Sequence, residues 1–117
     1  MPKMIKSDFG KLISCIDRQT GKEHTDWRAE YIGKNGMIIL YESERKHPGW
    51  RFVYFFPYME GANQNYLNTA TSEYMYVENE DSFTLTSKNS IWTFAFGEFD
   101  LTENEKLELL LNVGGCV

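Results

Sequence analysis

The run Trp50-Arg51-Phe52-Val53-Tyr54-Phe55-Phe56-Pro57-Tyr58 places an aromatic ring at every second position from Trp50 to Tyr58. A β-strand sends residues i, i+2 and i+4 to one face, so this segment predicts a strand with a continuous aromatic row. Such a row is either the floor of a core or a surface on which another molecule stacks. A chain that contains it folds around sheet structure, and the remaining segments are read against that requirement.

With 117 residues the chain has material for one domain, and 42% hydrophobic residues allow it to bury a core. Punctuation by Gly, Asn, Asp and Ser recurs every eight to twelve residues or so, the rhythm of short strands. Strands are expected at 9–16, 27–31, 37–41, 50–58, 74–77, 83–86 and 91–96. In the second of these, Trp27, Ala29 and Tyr31 alternate with Arg28 and Glu30. Asn35-Gly36 reads as a hairpin turn, and Pro57 should end the aromatic strand because it lacks an N–H. Residues 59–72 carry no periodic pattern and read as a long loop.

Near the end the period changes. Thr102-Glu103-Asn104-Glu105 is a capping-box pattern. Leu107, Leu110 and Leu111 follow at helical spacing, and Gly114-Gly115 can close a helix. A helix of about two to three turns is expected, packed through those three leucines. Together these segments predict a mainly β domain: an antiparallel meander of about seven strands in a small sandwich or partly open barrel, with one short C-terminal helix. The expected core comprises Ile13, Cys15, Trp27, Ile39, Phe52, Phe56, Leu85, Trp92 and Phe94.

Cys15 and Cys116 do not form a disulfide framework, and no apolar leader or span of roughly 20 apolar residues appears. A cytoplasmic location without membrane attachment is therefore expected. The net charge of −5 is uneven: residues 1–72 carry ten Lys/Arg against eight Asp/Glu, and residues 73–117 carry two against nine. Such asymmetry bears on partners rather than on fold.

No nucleophile elbow, phosphate loop or dinucleotide fingerprint is present, and no Cys/His spacing suits a metal. The first functional expectation is a non-enzymatic protein-interaction module without a cofactor. It would be an inhibitor or accessory protein of the phage or mobile-element kind, acting on a basic or nucleic-acid-processing partner. Its contact face is expected at Glu73, Glu78, Glu80 and Asp81 with the loop aromatic Tyr66.

A second expectation is ligand or single-stranded nucleic-acid binding on the aromatic strand. Arg51, Tyr54, Tyr58, Arg45 and Lys46 would supply rings and positive charge, helped by Lys22, Arg28 and Lys34. The stretch Gly49 to Phe55 superficially resembles the central motif of an RNA-recognition sheet. Pro48 stands where that family has a basic residue and Arg51 where it has a small one. The acidic balance disfavours nucleic acid further. A third expectation is a small enzyme using His24 or His47 as a base beside a carboxylate; Glu23 and Asp26 flank His24. An open sheet edge also allows a homodimer.

Overall fold

The computed structural model describes residues 3–44, 50–58, 66–69, 75–78, 80–97 and 100–116. Seven strands form one antiparallel sheet: β1 (Lys3–Asp17), β2 (Asn35–Glu42), β3 (Arg51–Pro57), β4 (Leu67–Asn68), β5 (Met75–Glu78), β6 (Ser82–Thr86) and β7 (Ser90–Phe96). Their order is β4-β3-β2-β1-β7-β6-β5. Two meanders thus flank a seam where the first strand meets the last. The sheet curls into a half-barrel. Phe55 on β3 meets Phe94 on β7 edge-on at 5.7 Å, although β2 and β1 separate their strands in the sheet.

β1 makes this curl. Its first part pairs with β2 and its second with β7, and the two pairings overlap only at Gly10 and Lys11. At Gly10 the backbone lies so close to the Ala95 carbonyl and the Ile38 side chain that a Cβ would collide with both. A bulge between Leu12 and Ser14 leaves Ile13 as the extra residue. The bulge reverses the strand's parity, so Leu12 and Cys15 both face the concave core while Ile13 is 45% exposed. The expected core position of Ile13 is thereby corrected.

The concave core gathers Leu12, Ile38, Leu40, Val53, Phe55, Leu67, Phe83, Leu85, Trp92 and Phe94 around Cys15. Of the expected core, Cys15, Ile39, Phe56, Leu85, Trp92 and Phe94 are buried, whereas Phe52 is only half-buried. Ile39 and Phe56 belong to a second cluster with Met37 on the convex face, where alternate residues of β2 and β3 point.

The segment Trp27–Tyr31 is a 3-10 helix rather than a strand. Asp26 caps it by accepting the Arg28 N–H at 3.1 Å, and this local hydrogen bond overrides the alternating pattern. Trp27 is 52% exposed and leaves the predicted core. Asn35-Gly36 opens β2 instead of forming a hairpin: Gly36 pairs with Gly10 on one side and Pro57 on the other. The turn falls two residues before Asn35, at Gly33, whose φ of 83° suits glycine. The expected long loop contains β4, and Thr69, just after it, accepts the Val53 N–H through Oγ1 at 2.9 Å in a buried bond.

α1 (Glu103–Cys116) begins with the expected capping box. The Thr102 N–H donates to Glu105 Oε1 at 2.8 Å, and the Glu105 N–H donates to Thr102 Oγ1 at 3.2 Å. The helix runs 14 residues, longer than expected, and Gly114-Gly115 lie inside it. It packs on the convex side of β2 and β3. Among the helix side chains described, those turned toward the sheet are Glu105, Lys106 and Leu109, and Leu109 is 1% exposed. Lys106 holds its ammonium over the Phe9 ring, 6.0 Å from the centroid, and pairs with Glu103 at 3.0 Å. Leu107, Leu110 and Leu111 are 58%, 50% and 69% exposed, so the predicted packing face is the solvent face.

Candidate functional site

Two regions concentrate chemistry. The first is the convex face of β1, β2 and β3. Register sets the side chains there in three rows: Phe9-Met37-Phe56, Ser7-Ile39-Tyr54 and Met4-Tyr41-Phe52. In the first row Met37 and Phe56 are buried. The third row holds exposed Met4 with half-buried Tyr41 and Phe52. Tyr41 stacks on Phe52 at 5.2 Å and meets Tyr54 edge-on at 5.3 Å. Tyr66 completes the chain of rings, 5.5 Å from Tyr54 and 5.3 Å from Phe56. Burial, with Tyr54 beside it, raises the Tyr41 phenol above its ordinary pKa, so the hydroxyl stays neutral at pH 7. The aromatic row is thus both floor and surface: Phe56 is covered, while Tyr41, Phe52, Tyr54 and Tyr66 remain accessible.

The residues foreseen for partner binding divide between the sheet's two flanks. Tyr66 precedes β4, one outer strand. Glu80 and Asp81 are exposed on the turn between β5 and β6, at the other flank, and Glu78 ends β5. Five strands separate β4 from β5 in the sheet order, so the sheet does not bring this set together. Glu73 lies outside the described residues.

For the alternative set, Tyr54 and Tyr58 are half-buried. Arg51 alternates with the outward rings and thus belongs to the concave side, where it lies 3.9 Å from Glu42. Arg45, Lys46 and His47 lie outside the described residues. Lys22 and Arg28 sit elsewhere, at the polar end of the half-barrel.

That end is the second region. The connection from β1 to the 3-10 helix and the β6–β7 turn bound a cleft of about 620 Å³. Asp17, Arg18, Gln19, His24, Asp26, Arg28, Lys88 and Asn89 line it. Arg18 fastens its two sides by donating to the carbonyls of Ser87 at 3.0 Å and Lys88 at 3.3 Å. The turn is braced from within: the Ser87 N–H donates to the Ser90 carbonyl at 2.8 Å, and Trp92 Nε1–H donates to Ser87 Oγ at 3.3 Å.

His24, with its side chain 10% exposed, lies with Nε2 2.9 Å from Ser90 Oγ and Nδ1 3.9 Å from Asp26 Oδ2. Three residue types of a hydrolytic triad therefore stand in series. The geometry does not make an activated nucleophile. Ser90 is 1% exposed and faces the Cys15 thiol. Asp26 is beyond hydrogen-bond distance of the imidazole and is engaged by the Arg28 guanidinium. Some burial notwithstanding, the Arg28 N–H and guanidinium hold the Asp26 carboxyl below its usual range. Burial pushes the Cys15 thiol up to about 11, against the opposing pull of its Ser90 hydrogen bond, so at neutral pH it is a small apolar core group. What the chain of contacts does is tie residue 24 to residue 90 across the open end of the barrel.

The histidine is the element of this region that sequence marks, through Glu23 and Asp26. Its partner Ser90 stands 66 positions away, and only the β1–β7 pairing announces that contact. No group of three or more metal-ligating side chains occurs among the described residues. No helix among them is long and apolar enough to cross a membrane. No family model matches the chain, and no curated protein or solved structure is significantly similar to it.

Proposed function

We propose that this protein is a small non-enzymatic protein-binding module that engages its partner through the convex face. The observation that carries this reading is the coincidence, on one side of the sheet, of accessible aromatic rings and three exposed leucines. Tyr41, Phe52, Tyr54 and Tyr66 form the aromatic floor. Leu107, Leu110 and Leu111 form a ridge on the outer side of α1, which packs on that same face. Monomeric domains rarely expose so many large apolar side chains together without a use for them. Tyrosine rings also suit recognition, since they bring much contact area with few rotors to freeze.

The partner we infer is basic. Glu103 and Glu108 are exposed on the helix among the leucines, and residues 73–117 carry nine acids against two bases. A basic amphipathic segment would place apolar side chains on the leucines and positive charge on these carboxylates. Glu78, Glu80 and Asp81, on the far flank, fit long-range attraction better than direct contact. The biological form we assign is an inhibitor or accessory protein of the phage or mobile-element kind, acting in the cytoplasm on a basic or nucleic-acid-processing protein.

The test is photo-crosslinking in the source cell's lysate from a reactive residue at position 110, compared with the same protein carrying Leu107→Ser and Leu111→Ser. A single basic protein should be captured, its yield falling as salt rises and falling with the substitutions. Equal capture by the substituted protein, or an adduct only with a second copy of the chain, would overturn the reading.

A further inference from the structure

The start of β1 outruns its neighbour. β7 ends at Phe96, opposite Gly10, and just beyond it the Gly97 N–H donates to the Phe9 carbonyl at 2.9 Å. Further out, Lys3 to Asp8 pair with β2 alone among the described residues. All of them are exposed, Met4 by 57% and Ile5 by 39%. A strand that enters the middle of the sheet thus begins with one edge open, and an open edge is a template for another strand.

The alternation along this overhang is broken once. Met37, Ile39 and Tyr41 of β2 stand opposite Phe9, Ser7 and Met4, whereas Ile38, Leu40 and Glu42 stand opposite Asp8, Lys6 and Lys3. Ile5 is the extra residue of a bulge between Met4 and Lys6. Phe9 turns its carbonyl to the open side, and Ser7 and Met4 share its phase, so their backbone groups face the open side too. Counted from Lys3 to Asp8, the edge-facing residues are therefore the second and the fifth. That order reads the same from either end. In an unbroken strand the second and fifth residues lie in opposite phase.

We propose that this overhang pairs antiparallel with the same overhang of a second copy, forming a two-fold dimer. With the axis between Ile5 and Lys6, Met4 lies opposite the partner's Ser7, so both present edge-facing backbone groups to each other. Lys3 lies opposite the partner's Asp8 at both ends of the seam, an attractive cross-strand pair. Asp8 uses Oδ1 to accept the Phe9 N–H at 2.8 Å, which leaves its other oxygen for the lysine. Lys6 is occupied on its own sheet, with its ammonium 4.1 Å from the centroid of the Phe96 ring. A register shifted by one residue sets an edge-facing residue against one that faces β2, and in one direction it sets Lys6 against its own copy. Lysines and bulges ordinarily keep an edge single. Here an acid answers Lys3, and the bulge is what makes the register self-complementary. The pairing joins β4-β3-β2-β1 of the two copies into one continuous sheet. So short a seam gives a weak dimer. It does not use the leucine ridge of α1 and does not depend on the partner proposed for it.

The experiment is sedimentation velocity of the full chain at low salt, over roughly 10 μM to 1 mM protein. The sedimentation coefficient should rise with concentration toward that of a dimer. Ser7→Pro removes an N–H that faces the seam and none that faces β2, so it should abolish the rise while urea unfolding shows the domain still folded. Lys3→Glu and Asp8→Lys should each weaken association about tenfold, because symmetry makes each pair count twice. The two reversals together should restore association to within a few-fold of the wild type. Leu107→Ser with Leu111→Ser should dimerise as the wild type does. A monomer at every concentration would overturn the proposal, as would undiminished association of folded Ser7→Pro. A double reversal no stronger than the single ones would overturn the register. Association lost in the leucine variant and kept in Ser7→Pro would place the contact on α1 instead.

Discussion

Replacing Leu109 and Leu110 separately with alanine tests which side of α1 holds it to the sheet. Leu109 is 1% exposed and Leu110 is 50% exposed, although they are sequence neighbours. Leu109→Ala removes three carbons from a closed environment. At about 0.8 kcal/mol per buried methylene, the transfer loss is ~2.4 kcal/mol. A residual cavity beneath the helix adds to it, and measured core Leu→Ala changes span about 2–5 kcal/mol. Because α1 rests on β2 and β3 at the surface, it can settle inward, so the lower half of that span applies. Leu110→Ala gives up only partial burial and exchanges one good helix former for another. Its cost should stay within about 0.5 kcal/mol, as at other exposed sites. Urea unfolding followed by tryptophan fluorescence reads both, with the midpoint moving and the slope unchanged. Equal effects, or a larger effect at Leu110, would mean the leucine ridge faces the sheet and the docking face does not exist.

Three further outcomes follow from the local chemistry. Thr102→Ala removes one arm of the capping box and should lower stability by about 1 kcal/mol, read in the same denaturant assay, with no change if the helix start is held by other contacts. Cys15 should resist thiol reagents in the native state at pH 8, because burial holds its pKa about 11 against an ordinary 9.0. The raised value favours the neutral thiol, so its contribution is full below pH 9.0 and is lost as pH rises toward 11; labelling at a free-thiol rate would refute its enclosure. The Asp26 carboxyl has a lowered pKa, so its contribution is present above its ordinary value of 3.8 and is lost as pH falls through the folded value. The stability gap between the wild type and Asp26→Asn should accordingly close on acidification, and a gap independent of pH would count against the Arg28 pairing.

Local patterns carried much of this architecture in legible form. The alternation from Trp50 to Tyr58 names β3, and Thr102 with Glu105 names the helix start, because both signals act over a few residues. Non-local effects were hidden. Ile13 and Cys15 share parity in sequence, yet the bulge between Leu12 and Ser14 separates them, and that bulge answers to β7 rather than to its neighbours. Trp27 to Tyr31 alternates like a strand, but Asp26 offers those backbone groups a nearer partner. The leucine spacing in α1 identifies an apolar stripe without saying whether it meets the sheet or solvent. The polar cleft was the least readable feature: Arg18, Arg28 and Lys88 acquire a joint meaning only once β7 lies beside β1.

That seam between the first and last strands also governs the order of assembly. The β1–β2–β3–β4 meander can form early, since its contacts are sequential, but the second half of β1 must wait for β7, with Leu12 matched to Phe94 across about eighty intervening residues. Closing so long a loop late makes folding slow relative to local structures. Until it closes, an unpaired backbone edge that carries the apolar side chains of Leu12 and Cys15 stands open at the centre of the molecule, where a nascent chain is most prone to pair with its neighbour. Interruption anywhere before Ser90 therefore leaves more than a shortened protein: it leaves a half-sheet with its middle strand as a sticky rim.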